Sequence, residues 1–218
     1  MTIGLVTEGI SDQIVISNIL YGYFNDDDLL INELQPLRDE TDKNKSSNYG
    51  GWGNLIEYCK SEVFKTSFQL LEYVVIQIDT DICESYNISK KENGVDLSVE
   101  KLVEKVEEKI IGIIGVDFYT KFEEQIIFAI SVHSIECWIL PVYYSDRRKS
   151  KTENCLNTLN QKLNTVEGFS IDPNNKSPKY YDEISEVFSK RKKLIKFYKS
   201  NPSFEIFINN LDKRFNLL

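Results

Sequence analysis

The chain is poor in several residue types: among 218 residues it has one histidine, one methionine, two tryptophans and five prolines. The four cysteines, Cys59, Cys83, Cys137 and Cys155, show no paired spacing and sit within or beside apolar segments. They read as reduced, partly buried small side chains, not as a disulfide or zinc framework. No run of 18 apolar residues occurs, so no helix is expected to cross a membrane. The first residues carry strand and turn where a secretory leader would carry charge and then an apolar run, which predicts a soluble, cytoplasmic protein. Internal repeats and low-complexity linkers are missing too. A 41% hydrophobic chain of this length predicts one compact body, with Ile171–Pro178 as the internal boundary between an α/β domain over residues 1–172 and a helical extension over 173–218 packed on it.

What the chain does have is Tyr73-Val-Val-Ile-Gln-Ile-Asp-Thr-Asp81. A β-branched apolar run with polar bounds reads as a strand buried on both faces, the kind found inside parallel sheets. Side chains alternate along a strand, so Asp79 and Asp81 are expected on one side, just where the strand stops. Ligand sites in open α/β sheets lie at the carboxyl ends of strands. Two carboxylates held together there repel, and a bound dication removes that cost. The competing reading is a turn or cap role, since aspartate is common at strand ends.

A second acid occupies the same architectural position. Ile3-Gly-Leu-Val-Thr7 reads as a short strand and Glu8-Gly9 as a tight turn. Ser11 then reads as the N-cap of an amphipathic helix to about Tyr23, with Asp12 in the first turn where negative charge suits the helix dipole. If the two strands are neighbours, Glu8, Asp79 and Asp81 form an oxygen-only set suited to Mg²⁺ or Mn²⁺ and unsuited to zinc. Further on, Leu29-Leu-Ile-Asn-Glu-Leu34 and Ile126-Ile-Phe-Ala-Ile130 read as strands, and Leu55–Lys65 and Ser98–Ile114 as helices. The polar, glycine-bearing loop from Arg38 to Asn54 is long enough to suggest function. This alternation predicts an α/β fold of three layers around a mainly parallel four-stranded sheet.

Charge is unevenly placed. Residues 176–218 hold ten Lys or Arg against five Asp or Glu, a balance of +5, so with a net charge of −8 the rest of the chain carries −13. The cations concentrate in Lys190-Arg-Lys-Lys193, Lys196 and Lys199, on a helix expected from about Tyr181. Lys192, Lys193 and Lys196, with Lys179 upstream, are candidates for steering a phosphate backbone; the plain alternative is a solvated surface helix. His133 and Glu136 are expected on one face of a short helix. His133 is a candidate proton shuttle or phosphate ligand, against a local hydrogen-bonding role at the helix start. Glu136, set among apolar residues, is expected to be partly buried and either at the site or in an ion pair with a buried Lys or Arg. Lys176, Lys179 and Arg38 are loop cations able to offset phosphoryl charge if they reach the site.

The opening strand-Glu-Gly-x-Ser-Asp-helix followed by strand-Asp-x-Asp resembles the Toprim domain of topoisomerases, bacterial primases, and OLD-type and RloB-like nucleases. Ala129-Ile-Ser-Val-His-Ser-Ile-Glu-Cys-Trp-Ile-Leu140 resembles the strand-then-helix element of compact bacterial Toprim-like proteins, and Asn201-Pro-Ser-Phe204 the start of their terminal helix. The resemblance implies a Rossmann-like fold and a Mg²⁺-dependent nuclease acting on DNA or RNA, transfer RNA included, as an effector of anti-phage defence beside an ABC- or SMC-type ATPase partner. It also implies that Asp79 and Asp81 hold the metal while Glu8 holds a second ion or acts as general base. Two other classes stay open: a phosphatase or nucleotide-sugar transferase using Asp-Thr-Asp, and a non-catalytic partner that keeps the fold.

Overall fold

A computed structural model of the chain describes residues 1–26, 28–37 and 51–218. Four parallel strands, β1 (Thr2–Val6), β2 (Leu30–Gln35), β3 (Tyr73–Asp79) and β6 (Ile126–Ser131), make one sheet in the order β2-β1-β3-β6. A two-residue antiparallel hairpin, β4 (Lys91–Glu92) with β5 (Val95–Asp96), stands apart from it. All four strands expected from alternation are therefore present, within a residue or so of their expected bounds.

Strands β1, β3 and β6 are buried on both faces because they are apolar in both phases of their alternation, while the edge strand β2 is partly exposed. Val74, Ile76 and Ile78 of β3 pack against α2 (Trp52–Lys60), α3 (Glu62–Ser67), α4 (Val99–Ile114) and α5 (Val116–Phe122). Ile3, Leu5, Val75, Ile127 and Ala129 face the other way. There they meet α1 (Ile10–Phe24), α6 (Glu136–Tyr143) and α7 (Cys155–Val166), together with α8 (Pro178–Ser185), α9 (Arg191–Phe197) and α10 (Pro202–Phe215). The result is three layers, helix on sheet on helix. Residues 173–218 contribute Tyr181, Phe188, Leu194, Phe204 and Leu211 to the same apolar cluster as α1 and α6.

Several local expectations are corrected. Ser11 does not cap α1: Gly9 occupies that place without a side-chain cap, and Ser11 lies buried inside the helix. Nor is α1 amphipathic, since α8, α9 and the 3-10 turn Glu186–Ser189 cover the side that would otherwise face water. Gly22 permits that closeness, because a Cβ there would meet the Phe188 carbonyl oxygen at 1.8 Å. The helix expected over Leu55–Lys65 is broken at Ser61, whose hydroxyl accepts from the Phe64 amide at 3.1 Å and starts α3. The basic helix expected from Tyr181 is broken likewise, into α8, the 3-10 turn and α9. Arg191 of its Lys-Arg-Lys-Lys run turns inward to the carbonyls of Tyr23 and Leu217.

The crossover after β1 leads to β2 on one side, while the chain after β3 leads to β6 on the other. The carboxyl ends of β1 and β3 thus flank a topological switch point. That is where the divergence of successive loops opens a crevice in a doubly wound sheet.

Candidate metal centre

Glu8 follows β1 and Asp79 ends β3, and the register of the two strands brings them together. The Asp79 amide donates to Glu8 Oε2 at 3.3 Å. Gln77, fully buried two residues before Asp79 and on the same face, fixes both: its Oε1 accepts from the Glu8 amide at 3.3 Å, and its Nε2 donates to Asp79 Oδ1 at 2.9 Å. Asp12 arrives from the first turn of α1. Gly9 lets it approach, since a Cβ at residue 9 would stand 3.0 Å from Asp12 Oδ2. Asp12 is 4% exposed, and its Oδ1 has no hydrogen-bond partner among the described residues. These three acids line a cavity of about 530 Å³ whose wall also includes Gly51, Pro36 and Lys176.

Lys176, in the loop before α8, joins this cavity to a second of about 680 Å³. Its ammonium lies 2.8 Å from Oε1 of Glu136, the first residue of α6. Glu136 is 1% exposed and also accepts from the Tyr181 hydroxyl, while its Oε2 has no partner among the described residues. The two alternatives for Glu136 therefore coincide: it forms an ion pair with a half-buried lysine, and that pair lines the second cavity.

One ammonium faces three buried carboxyls and the half-buried Glu8, and the protonation of each is set by that imbalance. Burial pushes Glu8 up to about 7, with the Asp81 charge adding to it and the Asp79 amide and Lys176 opposing. Burial likewise raises Asp12 to about 7, against Lys176 and reinforced by Glu8 and Glu136. Asp79 is raised well above its usual range by burial, then by the neighbouring charges of Asp12 and Glu8. For Glu136 burial also works against the charge, yet the Lys176 ammonium outweighs it and holds the carboxyl low. Lys176 itself is held above its ordinary value: burial disfavours its charge, and Glu136, Asp79 and Asp12 more than compensate. An oxygen-only cluster with excess negative charge and an unpartnered buried oxygen fits a hard dication.

Asp81 departs from its expected place. The strand stops at Asp79, so the alternation that would align the two acids no longer operates. Thr80 and Asp81 turn back instead, both donating backbone N–H to the His133 carbonyl, at 2.9 and 2.8 Å. Asp81 is exposed and lines the second cavity with His133, Glu136 and Glu153. It is a rim residue of the centre, near enough for its charge to raise Glu8.

His133 lies before α6, not on it, with φ at 67° in the left-handed region. Its amide donates to Thr80 Oγ1 at 2.8 Å, so its backbone shapes the Asp-Thr-Asp turn from both sides. Burial lowers its imidazole below the usual value. Nearby, Cys137 and Cys155 are joined as a disulfide with Cα atoms 5.1 Å apart, which corrects the reading of four reduced cysteines. Spacing along the chain carried no sign of it; the packing of α6 on α7 makes the pair. Cys59 and Cys83 are free and buried.

Lys179, Lys192, Lys193 and Lys196 are exposed and line neither cavity of the centre. Lys196 borders a third hollow with Pro141–Tyr144, at the far end of α6 from Glu136. That helix is eight residues long, about 12 Å. Arg38, and most of the glycine-bearing loop with it, falls outside the described residues. Asp12 and Gln77 went unread as site residues. Their signals were a polar side chain inside an apolar strand, two residues before an acid, and an acid one helical turn beyond Glu8. Compared with models of protein families, with curated proteins and with solved structures, the chain matches none.

Proposed function

We propose that this chain is a Toprim-like nuclease that needs Mg²⁺ or Mn²⁺ and hydrolyses phosphodiester bonds of DNA or RNA. The observation that carries the reading is the buried cluster of Glu8, Asp12 and Asp79 at the switch point, whose charge Lys176 only partly offsets. Those three carboxyls would hold the metal, with Asp81 at the rim. When bound, such an ion supplies a Lewis acid for the phosphoryl oxygens and lowers the pKa of its water.

The chain's own groups divide the remaining work. Glu8, titrating at about 7, is near the ionisation suited to accepting a proton from an attacking water at neutral pH. Lys176 carries an ammonium that opens to both cavities and can meet a phosphate there. Glu136 and Tyr181 position that ammonium. His133 holds the turn that presents Asp81. Lys179, Lys192, Lys193 and Lys196 supply a steering surface away from the chemistry. An effector role beside an ABC-type ATPase partner rests on the sequence resemblance alone.

The test is cleavage of plasmid, single-stranded DNA and transfer RNA by the purified chain, with Mg²⁺, with Mn²⁺ and with chelator, alongside calorimetric titration of metal. Metal-dependent cleavage of at least one polynucleotide supports the reading. Absence of both cleavage and metal binding would overturn it.

A further inference from the structure

Beside the carboxylate centre is a second group of ligand-type side chains, chemically unlike it. One donor atom each from His133, Cys137 and Cys155 lies within 4.8 Å of the others. We propose that, in the dithiol state, these three residues form a binding site for one thiophilic divalent cation of the Zn²⁺ type. The proposal is independent of the nuclease reading.

Three features of the packing support it. Cys137 is the second residue of α6 and Cys155 the first of α7, so both sulfurs lie at positive helix ends, where thiolate is favoured. The imidazole already has the tautomer that ligation through Nε2 needs. Its Nε2 accepts from the Asn154 amide at 3.1 Å, so that nitrogen carries the lone pair and faces the start of α7, where Cys155 stands; a bound cation would take the place of that amide hydrogen. Its Nδ1, 3.2 Å from Ser134 Oγ, then carries the hydrogen and donates it. This is the outer hydrogen bond that fixes the tautomer of a metal-bound histidine. Finally, His133 keeps a left-handed backbone that only a well-braced position sustains. The two bonds to its carbonyl and the one from its amide supply the bracing.

Two thiolates and an imidazole make a soft, nitrogen–sulfur set, the class that prefers zinc to magnesium. Tetrahedral Zn–S bonds of about 2.3 Å set two sulfurs about 3.8 Å apart. The Cα separation of 5.1 Å lets side-chain rotation provide that once the S–S bond is broken. Breaking it takes two electrons and two protons from a dithiol such as dithiothreitol, which closes to its own cyclic disulfide. Cation binding then displaces the two thiol protons. Three protein ligands leave a fourth position for water or a further ligand, and His133 lines the 680 Å³ cavity beside Glu136 and Asp81.

Cobalt(II) titration tests the site, because tetrahedral thiolate-bound cobalt gives strong ligand-field bands and a sulfur-to-cobalt charge-transfer band, whereas carboxylate-bound cobalt is pale. The reduced protein should develop these bands to one equivalent and lose them on addition of Zn²⁺. The oxidised protein should show none until dithiothreitol is added. Cys137→Ser and Cys155→Ser should abolish the charge-transfer band, and Asp79→Asn should leave it intact. If the serine variants do not fold, His133→Asn decides: asparagine tolerates the left-handed backbone, and binding should weaken at least tenfold. No band in the reduced protein overturns the proposal. So does a band that survives in both serine variants, which would place the cobalt at Cys59 or Cys83, or one that disappears with Asp79→Asn.

Discussion

Two charged regions of this protein are built on opposite terms. At the carboxyl ends of β1 and β3, the buried Asp12, Asp79 and Glu136 and the half-buried Glu8 are gathered around a half-buried Lys176. On α9, Lys192, Lys193 and Lys196 stand in water. The first arrangement costs folding free energy, since desolvated like charges must be protonated, paired or offset by a ligand. The second costs almost nothing to fold and is tolerant of change. A group of charges kept in place against such a cost points to chemistry; charges that cost nothing point at most to steering.

Substitutions at the buried acids should break this contrast most sharply. Asp79→Asn should lower metal-dependent cleavage by at least about 100-fold, as loss of charge stabilisation at a reacting phosphate does. Because it relieves repulsion, metal-free Tm should stay or rise. Full activity, or unfolding as from a core defect, would move Asp79 to the structural side.

Lys176→Met tests the ion pair. It strands the Glu136 carboxylate in a buried site and should cost about 3 kcal/mol in urea unfolding. The double variant Lys176→Met/Glu136→Gln should recover part of that loss, a coupling that a merely surface lysine would not show.

A pH series comes next in size. Glu8 and Asp12 titrate near 7 in the folded protein, above the 4.5 and 3.8 of the unfolded chain. Between those limits the native state binds more protons than the unfolded one, so stability should fall as pH rises from about 4 to about 7 and level off above. Asp12→Asn should flatten the curve and add roughly 1–2 kcal/mol at pH 8 without metal. Added Mg²⁺ should raise Tm more at pH 8 than at pH 5, where proton and metal compete for the same oxygens. A stability curve that rises through this window would refute the buried-acid account.

The smallest effect on chemistry should come from Lys192→Glu, Lys193→Glu and Lys196→Glu together. Association with polynucleotide should weaken and lose salt dependence, by about one unit of log–log slope for each phosphate contact removed, while turnover of bound substrate changes little. An equal loss in turnover would mean that α9 reaches the scissile bond, which its position at the far end of α6 opposes.

Much of this molecule was legible along the chain. Strands β1, β3 and β6 announced themselves as apolar runs, because a strand covered on both faces must be apolar in both phases of its alternation; β2, at the sheet edge, was read from a shorter run. The helix over Ser98–Ile114, now α4, was equally plain, since helical period is local. Glu8 and Asp79 could be paired in advance because one follows and the other ends a strand, and parallel neighbours end on one edge. What stayed hidden depends on contacts far apart in sequence. Asp12 enters the site because Gly9 and the docking of α1 aim it inward, and Lys176 pairs with Glu136 forty residues away. The Cys137–Cys155 bond exists only because α6 and α7 meet. Local residues decided which elements form and where the acids leave them. Tertiary packing decided which of those acids lose water, and desolvation, a property no residue has alone, is what makes them a candidate site.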